Sequence, residues 1–157
     1  MSTEASQLPH CGLLRRLAAI LYDGLLLLAV LFIATAILLP LTHQGGAPAG
    51  QAPAPIYLNH PFYKAAFTSY LFMVSFFFFA YFWTRGGQTL GMRAWRIRVQ
   101  TRQGRPIGWW HALLRFMVAI ASWAALGLGF LWSLVDKERR TWHDLYSDTL
   151  LVVLPPK

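Results

Sequence analysis

Charged residues are scarce in this chain, and apolar residues are abundant. Only 13% of its 157 residues are charged, whereas 56% are hydrophobic. The charged share is about half that of an ordinary soluble domain. A single domain of this length cannot bury so much apolar surface, but a lipid bilayer can solvate it. The composition therefore excludes an ordinary soluble domain and predicts an integral membrane protein.

Cysteine and acidic residues are also few. Cys11 is the only cysteine, which excludes an internal disulfide and a cysteine metal site. The five histidines lack the close paired spacing of a helical metal site, so no metal or other cofactor is predicted. No serine or cysteine has an evident companion base, so the chain is not predicted to be an enzyme.

Three long apolar stretches organise the sequence: Leu13 to Leu39, Ala65 to Trp83, and Trp109 to Val135. Each has about the 20 residues that a helix needs to span a bilayer. They predict an all-α, multipass helical bundle with spans at about 17–39, 65–84 and 109–135. Residues 1–12 would form an N-terminal cytoplasmic tail and residues 13–154 one transmembrane domain.

The basic residues predict the orientation of the spans. The segment from Pro40 to Phe62 carries no charge, whereas six arginines lie between Thr84 and Gly108. By the positive-inside rule the arginine-rich segment and the N-terminus are cytoplasmic. A nucleic-acid partner is less plausible here than anionic lipid headgroups. The residues predicted to bind those headgroups are Arg93, Arg96, Arg98 and Arg102.

The third apolar stretch has two interpretations. One crossing would place Lys137, Arg139 and Arg140 outside, against the positive-inside rule. A pair of helices broken near Gly127 would return these residues to the cytoplasm, and this interpretation is preferred. Whether the stretch crosses once or folds back stays open at this point.

Two short segments near the third stretch have the pattern of β-strands. Basic and β-branched residues alternate from Ala94 to Thr101, and Gln103-Gly104 would form a turn. The run Thr149 to Leu154 is too short to span a membrane and is rich in β-branched residues. We predict a small cytoplasmic strand pair.

Polar residues inside apolar stretches are the candidate functional residues, because lipid disfavours them unless they have partners. Asp23 lies seven residues after Arg16, on the same helix face but too far along it for a direct pair. Arg115 interrupts the third stretch, and we predict that it pairs with Asp23. In the tail, Asp144 or Asp148 is predicted to meet Arg85 or one of the clustered arginines, and a His143-Asp144 catalytic dyad is disfavoured.

Four local patterns together resemble the RDD family of membrane proteins, which is named for one Arg and two Asp. They are Arg16 to Asp23, Gly87 to Arg93, Leu113-Leu114-Arg115, and Arg139 to Leu145 followed by Thr149. The resemblance covers about Leu13 to Val153 and implies that the three named residues are Arg16, Asp23 and Asp144. Ser147-Asp148-Thr149 departs from the family's Ala-Gly-Thr and adds a second candidate aspartate for the tail's main contact, but the position relative to His143 favours Asp144.

The resemblance implies a bacterial inner-membrane location, and for some family members transport or ion exchange. Two functional hypotheses follow. In the first, Arg16, Asp23, Arg115 and Asp144 form a polar cluster at the cytoplasmic end of the bundle, which moves a proton or a monovalent cation, in a homo-oligomer because so few spans enclose no path. In the second, the protein is a non-catalytic membrane scaffold or accessory protein that binds a partner.

Overall fold

A computed structural model describes residues 8–42 and 61–155. The predicted charge-free loop lies mostly outside these residues, as do the chain's first seven positions. The elements are α1 (Leu13–Thr42), α2 (Pro61–Gly86), α3 (Leu90–Ala94), β1 (Ile97–Thr101), α4 (Trp109–Ala124), α5 (Leu128–Leu131), a 3₁₀ turn (Trp132–Leu134), α6 (Trp142–Tyr146) and β2 (Thr149–Val153).

Two of the helices are long and apolar enough to cross a membrane, among the residues described. They are α1, in its portion Leu13–Leu38, and α2. Helix α2 starts at Pro61, where the missing proline N–H costs nothing because the first turn has no acceptor for it. The predicted mainly helical membrane fold is thus confirmed.

By its internal contacts the chain divides into two units, of which one spans Leu26–Phe77. This unit holds most of α1 and the first part of α2. Its polar side chains bond to backbone carbonyls: Ser75 Oγ to Leu71 (2.8 Å), and Tyr70 Oη to Ala34 (3.5 Å). Such bonds satisfy polar groups that lipid cannot solvate.

The other unit comprises residues 8–25 and 78–155 of the described chain and contains the strand pair. Strand β1 pairs antiparallel with β2, from Ile97 opposite Val153 to Thr101 opposite Thr149. The predicted pairing is confirmed, although β1 begins at Ile97 rather than at Ala94. The reason is that Thr89 caps the short helix α3, which includes Ala94.

The N-terminal segment joins the same sheet. His10 forms a bridge with Val152, and the Cys11 N–H donates to the Leu151 carbonyl at 3.0 Å. The start of α1 is therefore attached to β2. Within the sheet, Ile97 and Val99 are fully buried on one face of β1, and Val152, which pairs with Arg98, is fully buried on the opposite face.

The third apolar stretch is broken, as predicted. Helix α4 ends at Ala124, and the segment Leu128–Leu134 continues at an angle of 110° to it. Gly127, at a φ of 80°, lies in the break. The chain thus changes direction by more than a right angle at the predicted glycine.

Candidate functional site: an Arg-Asp-Arg triad and a separate aspartate

Asp144 is held in position by the first turn of α6. Thr141 is the N-cap, and its N–H donates to Asp144 Oδ2 at 3.1 Å. Its hydroxyl donates to the same oxygen at 2.9 Å. A threonine followed three residues later by an acidic side chain is a known helix-start pattern, so the local sequence explains why this carboxylate is fixed.

Two buried arginines from distant parts of the chain share this carboxylate. Arg16 Nη1 lies 2.5 Å from Asp144 Oδ2, and Arg115 Nη1 lies 2.6 Å from Oδ1. The exposed side-chain fractions are 3% for both arginines and 0% for Asp144. Burying a charge is costly unless it is paired and hydrogen-bonded, so the three groups hold α1, α4 and α6 together. We call them the ion triad.

Further contacts tie the triad to the surrounding backbone. Arg16 donates from Nη2 to the Arg139 carbonyl at 2.7 Å and from Nε to the Cys11 carbonyl at 3.3 Å. Arg115 Nη1 donates to Thr149 Oγ1 at 2.5 Å, and its guanidinium lies 5.2 Å from the centroid of the Trp83 ring. The triad therefore also connects β2 and the end of α2.

The triad controls the charge of its neighbours. Burial acts to raise the pKa of Asp144, but Arg16 and Arg115 outweigh it and hold that pKa below its usual range. Burial lowers the pKa of His143 to about 3, so the imidazole is neutral. His143 Nε2 lies 2.9 Å from Thr141 Oγ1 and 3.9 Å from Asp144 Oδ1. At 3.9 Å the imidazole forms no hydrogen bond with the Asp144 carboxylate.

Asp23 lies at a separate site. Its Oδ2 accepts a hydrogen bond from the Thr89 hydroxyl, and its Oδ1 accepts one from the Gly91 N–H at 2.8 Å. The predicted Asp23–Arg115 pair is wrong, because Arg115 is already bound to Asp144. The predicted four-residue cluster is thus two sites, the triad and the Asp23 site.

Thr89 and Gly91 were not selected from the sequence as site residues. A Cβ atom at Gly91 would lie 2.5 Å from the Ala19 carbonyl oxygen and 2.8 Å from Asp23 Oδ1, so only glycine fits there. The signal was present in the Gly87–Arg93 pattern, which is one of the four on which the resemblance to the RDD family rests. The same segment begins with a turn, because Gly87 has a φ of 68° and follows the end of α2.

The four arginines predicted to bind headgroups differ in their surroundings. Arg93 and Arg96 are exposed. Arg98 is half-buried on β1. Arg102 forms ion pairs with Asp148 (3.2 Å) and Glu138 (3.5 Å).

The ion pairs of the tail decide between the two aspartates. Asp148 meets a clustered arginine as predicted, whereas Asp144 meets Arg16 and Arg115 instead. Asp144 therefore makes the tail's main contact.

Metal ligands are not gathered anywhere in the described residues. No group of three or more His, Cys, Asp or Glu side chains there could hold a metal ion.

Two apolar helices long enough to span a bilayer, with charged groups paired beside them, define a helical membrane protein. Residues 11–148 match the sequence model of the RDD family, and the chain belongs to that family. Neither the curated proteins nor the solved structures include a match to it. The family assignment inferred from Arg16, Asp23 and Asp144 is confirmed.

Proposed function

We propose that this is a non-enzymatic, multipass protein of the bacterial inner membrane that moves a proton or a small monovalent cation by way of Asp23. Helices α1 and α2 cross the membrane, and the N-terminus and the exposed arginines Arg93 and Arg96 face the cytoplasm and its anionic headgroups. This orientation follows the distribution of basic residues.

One observation carries the transport proposal. Asp23 lies within the spanning part of α1 and is only 4% exposed, yet the two hydrogen bonds it accepts come from neutral donors. No ion pair found among the described residues includes it. An ionisable group at this depth is a functional candidate by default, and a proton or cation would neutralise it.

Two spans enclose no pathway by themselves, so the proposal requires a homo-oligomer. Cross-linking or mass measurement in detergent or nanodiscs tests this requirement. A strictly monomeric particle argues against transport.

The direct test is flux in proteoliposomes, with Na⁺, K⁺ and Li⁺ gradients and with a pH gradient. We expect flux from the unaltered protein and none from Asp23→Asn, which keeps an oxygen to accept from Gly91. Asp148→Asn is the matched control, because it removes an exposed carboxylate and should leave flux unchanged. Flux no greater than in protein-free vesicles rejects transport.

A second candidate function is a membrane scaffold that binds a partner through its arginine-rich segment. The exposure of Arg93 and Arg96 favours it, because neither forms an ion pair with an acidic side chain in the described part of the chain. A scaffold should retain its partner in Asp23→Asn and lose it when Arg93 and Arg96 are both replaced by Gln. The opposite pattern excludes this function.

A further inference from the structure

The bent third stretch has the surface of a segment in contact with lipid. From Phe116 to Val135 there is no charged residue, and the two serines are buried, Ser122 at 0% and Ser133 at 4% exposure. The exposed side chains are large and apolar, among them Trp123, Leu126, Leu128, Leu131, Leu134 and Val135. A segment surrounded by hydrocarbon is expected to bury its polar side chains and expose its apolar ones, as this segment does.

The bend prevents this segment from crossing the membrane. Helix α4 has 16 residues and is about 24 Å long, less than the hydrocarbon thickness of about 30 Å. Beyond it, Leu128–Leu134 runs at 110° to α4 and so adds no further depth. The pair reaches into a bilayer without reaching through it.

The backbone N–H groups at the bend are bonded to carbonyls of the chain itself. The Gly127 N–H donates to the Ser122 carbonyl at 2.8 Å, and the Leu126 N–H to the Trp123 carbonyl at 3.1 Å. These two bonds form a Schellman motif, in which a left-handed residue ends a helix and uses its free carbonyls. Such a turn tolerates hydrocarbon, which offers no hydrogen bonds.

Leu126 occupies the left-handed position of this motif, where glycine is usual. Its φ is 54°, and its side chain is 93% exposed. A leucine in this conformation is strained and, in water, would also expose its whole side chain. The exposure is explained if the leucine side chain enters lipid.

Both ends of the segment attach to the structure around the start of α1. After the bend, the Arg139 carbonyl accepts from Arg16 Nη2 at 2.7 Å. Before α4, the Arg105 carbonyl accepts from the Thr101 N–H of β1 at 2.9 Å, and β1 pairs with β2, to which residues 10–11 bind. The segment therefore enters and leaves the membrane on the same side.

We infer that Trp109–Leu134 is a re-entrant hairpin that enters the bilayer from the side of the start of α1 without crossing it, with Leu126 as its deepest residue, and that its partner is the lipid hydrocarbon. Trp109, Trp110 and Trp132 are exposed tryptophans suited to the interface. The inference rests on the proposed function only in taking α1 as a span, and it does not depend on transport or on absolute orientation.

The depth test uses single cysteines in full-length protein with Cys11→Ser, spin-labelled in phosphatidylethanolamine–phosphatidylglycerol liposomes. Labels at Leu126→Cys and Leu128→Cys should be accessible to oxygen and shielded from a water-soluble nickel complex. Leu28→Cys on α1 and Gln103→Cys in the turn after β1 provide the lipid and water references. Nickel accessibility equal to that of Gln103→Cys at both hairpin sites overturns the inference.

The sidedness test uses a membrane-impermeant maleimide on sealed vesicles. Lys137→Cys and Arg15→Cys should react from the same side, and reaction from opposite sides means a full crossing and overturns the hairpin. Gln51→Cys tests α1 separately, with reaction expected from the side opposite Arg15→Cys. If Gln51→Cys and Arg15→Cys react from one side, the multipass topology fails, whatever the depth at Leu126.

Discussion

Asp144 shows how one carboxylate can organise a membrane protein that has few acidic groups. It binds two guanidinium groups that lie 128 and 29 residues away along the chain. Each arginine would be an uncompensated buried charge without it. Asp144 therefore links α6 to α1 and α4, whereas the more exposed Asp148 forms an ion pair with Arg102.

Replacing Asp144 by Asn should destabilise the protein by about 3 kcal/mol or more, because two buried guanidinium groups lose their counter-ion. Asp148→Asn should change stability by less than about 1 kcal/mol, since its side chain is 66% exposed. Asn also tolerates the φ of 50° at position 148. Thermal unfolding in detergent, followed by tryptophan fluorescence, compares the two. Equal effects would show that the triad does not hold the helices.

Gly91→Ala should destabilise the protein by roughly 1–3 kcal/mol, because the added methyl group overlaps the Ala19 carbonyl and the Asp23 carboxylate. Gly24→Ala is the matched control on α1, where a Cβ meets nothing within 4 Å. It should stabilise the helix by up to about 1 kcal/mol. Unfolding midpoints of the two variants should therefore move in opposite directions. A neutral Gly91→Ala would contradict the close approach of α3 to α1.

At the residue scale, sequence reasoning found the important charges but not how they pair. Arg16, Arg115 and Asp144 stood out because each interrupts an apolar stretch or follows one. The choice between Asp23 and Asp144 as the partner of Arg115 depends on how α6 packs against α4, which spacing along the chain does not encode. Thr89 and Gly91 were missed because a hydroxyl and a glycine carry no charge.

The helices and strands agree with their local sequence patterns, except at Ala94, where a capped helix takes a residue that the pattern assigns to a strand. The alternation from Ala94 onward is typical of a strand, but the Thr89 hydroxyl accepts from the Met92 N–H and starts a helix there. Arg96, at a φ of 55°, then makes the transition to β1. The strand pairing itself was predictable, because both segments were too short to span a membrane.

At the bend between α4 and α5, Leu126→Gly should raise thermal stability in detergent by about 1 kcal/mol, because glycine adopts a left-handed conformation without strain. Little packing is lost, since the leucine is 93% exposed. Leu128→Gly, its matched control in α5, should lower stability by a similar amount through helix propensity. If Leu126→Gly lowers the unfolding midpoint more than Leu128→Gly does, the leucine at position 126 is not strained.

At the scale of the whole molecule, the buried imidazole makes stability depend on pH. The pKa of His143 is about 3 in the folded protein against an ordinary value of 6.5, so the unfolded chain binds the proton more tightly. Stability should be constant above about pH 6.5 and fall by up to about 1.4 kcal/mol per unit as pH drops towards 3. Protonation of Asp144, whose pKa is also lowered, adds to the loss only below its ordinary value of 3.8.

Unfolding midpoints measured from pH 8 to pH 4 check this dependence. His143→Gln should flatten the curve across that range. His111→Gln at the start of α4 is the control, and it should retain the acid sensitivity of the unaltered protein. Curves that are the same for His143→Gln and the unaltered protein would assign the sensitivity to other groups.

The class of fold was predictable because lipid imposes simple rules on length and composition. The assembly of the sheet, the N-terminal segment and the triad was not, since it joins residues near both ends of the sequence. His10, Cys11 and Arg16 contact residues from Arg139 to Val152, and no local pattern reports such distant contacts.

The 128-residue separation of Arg16 and Asp144 sets an order for biosynthesis. The ribosome makes Arg16 early, so the first helix enters the membrane while its guanidinium has no carboxylate to bind. Arg115 follows in the same condition. Only when Asp144 emerges can both charges be neutralised together. Until α6 is made, both guanidinium groups lack the counter-ion that their burial requires, so the docking of α1 and α4 around them has to wait for α6.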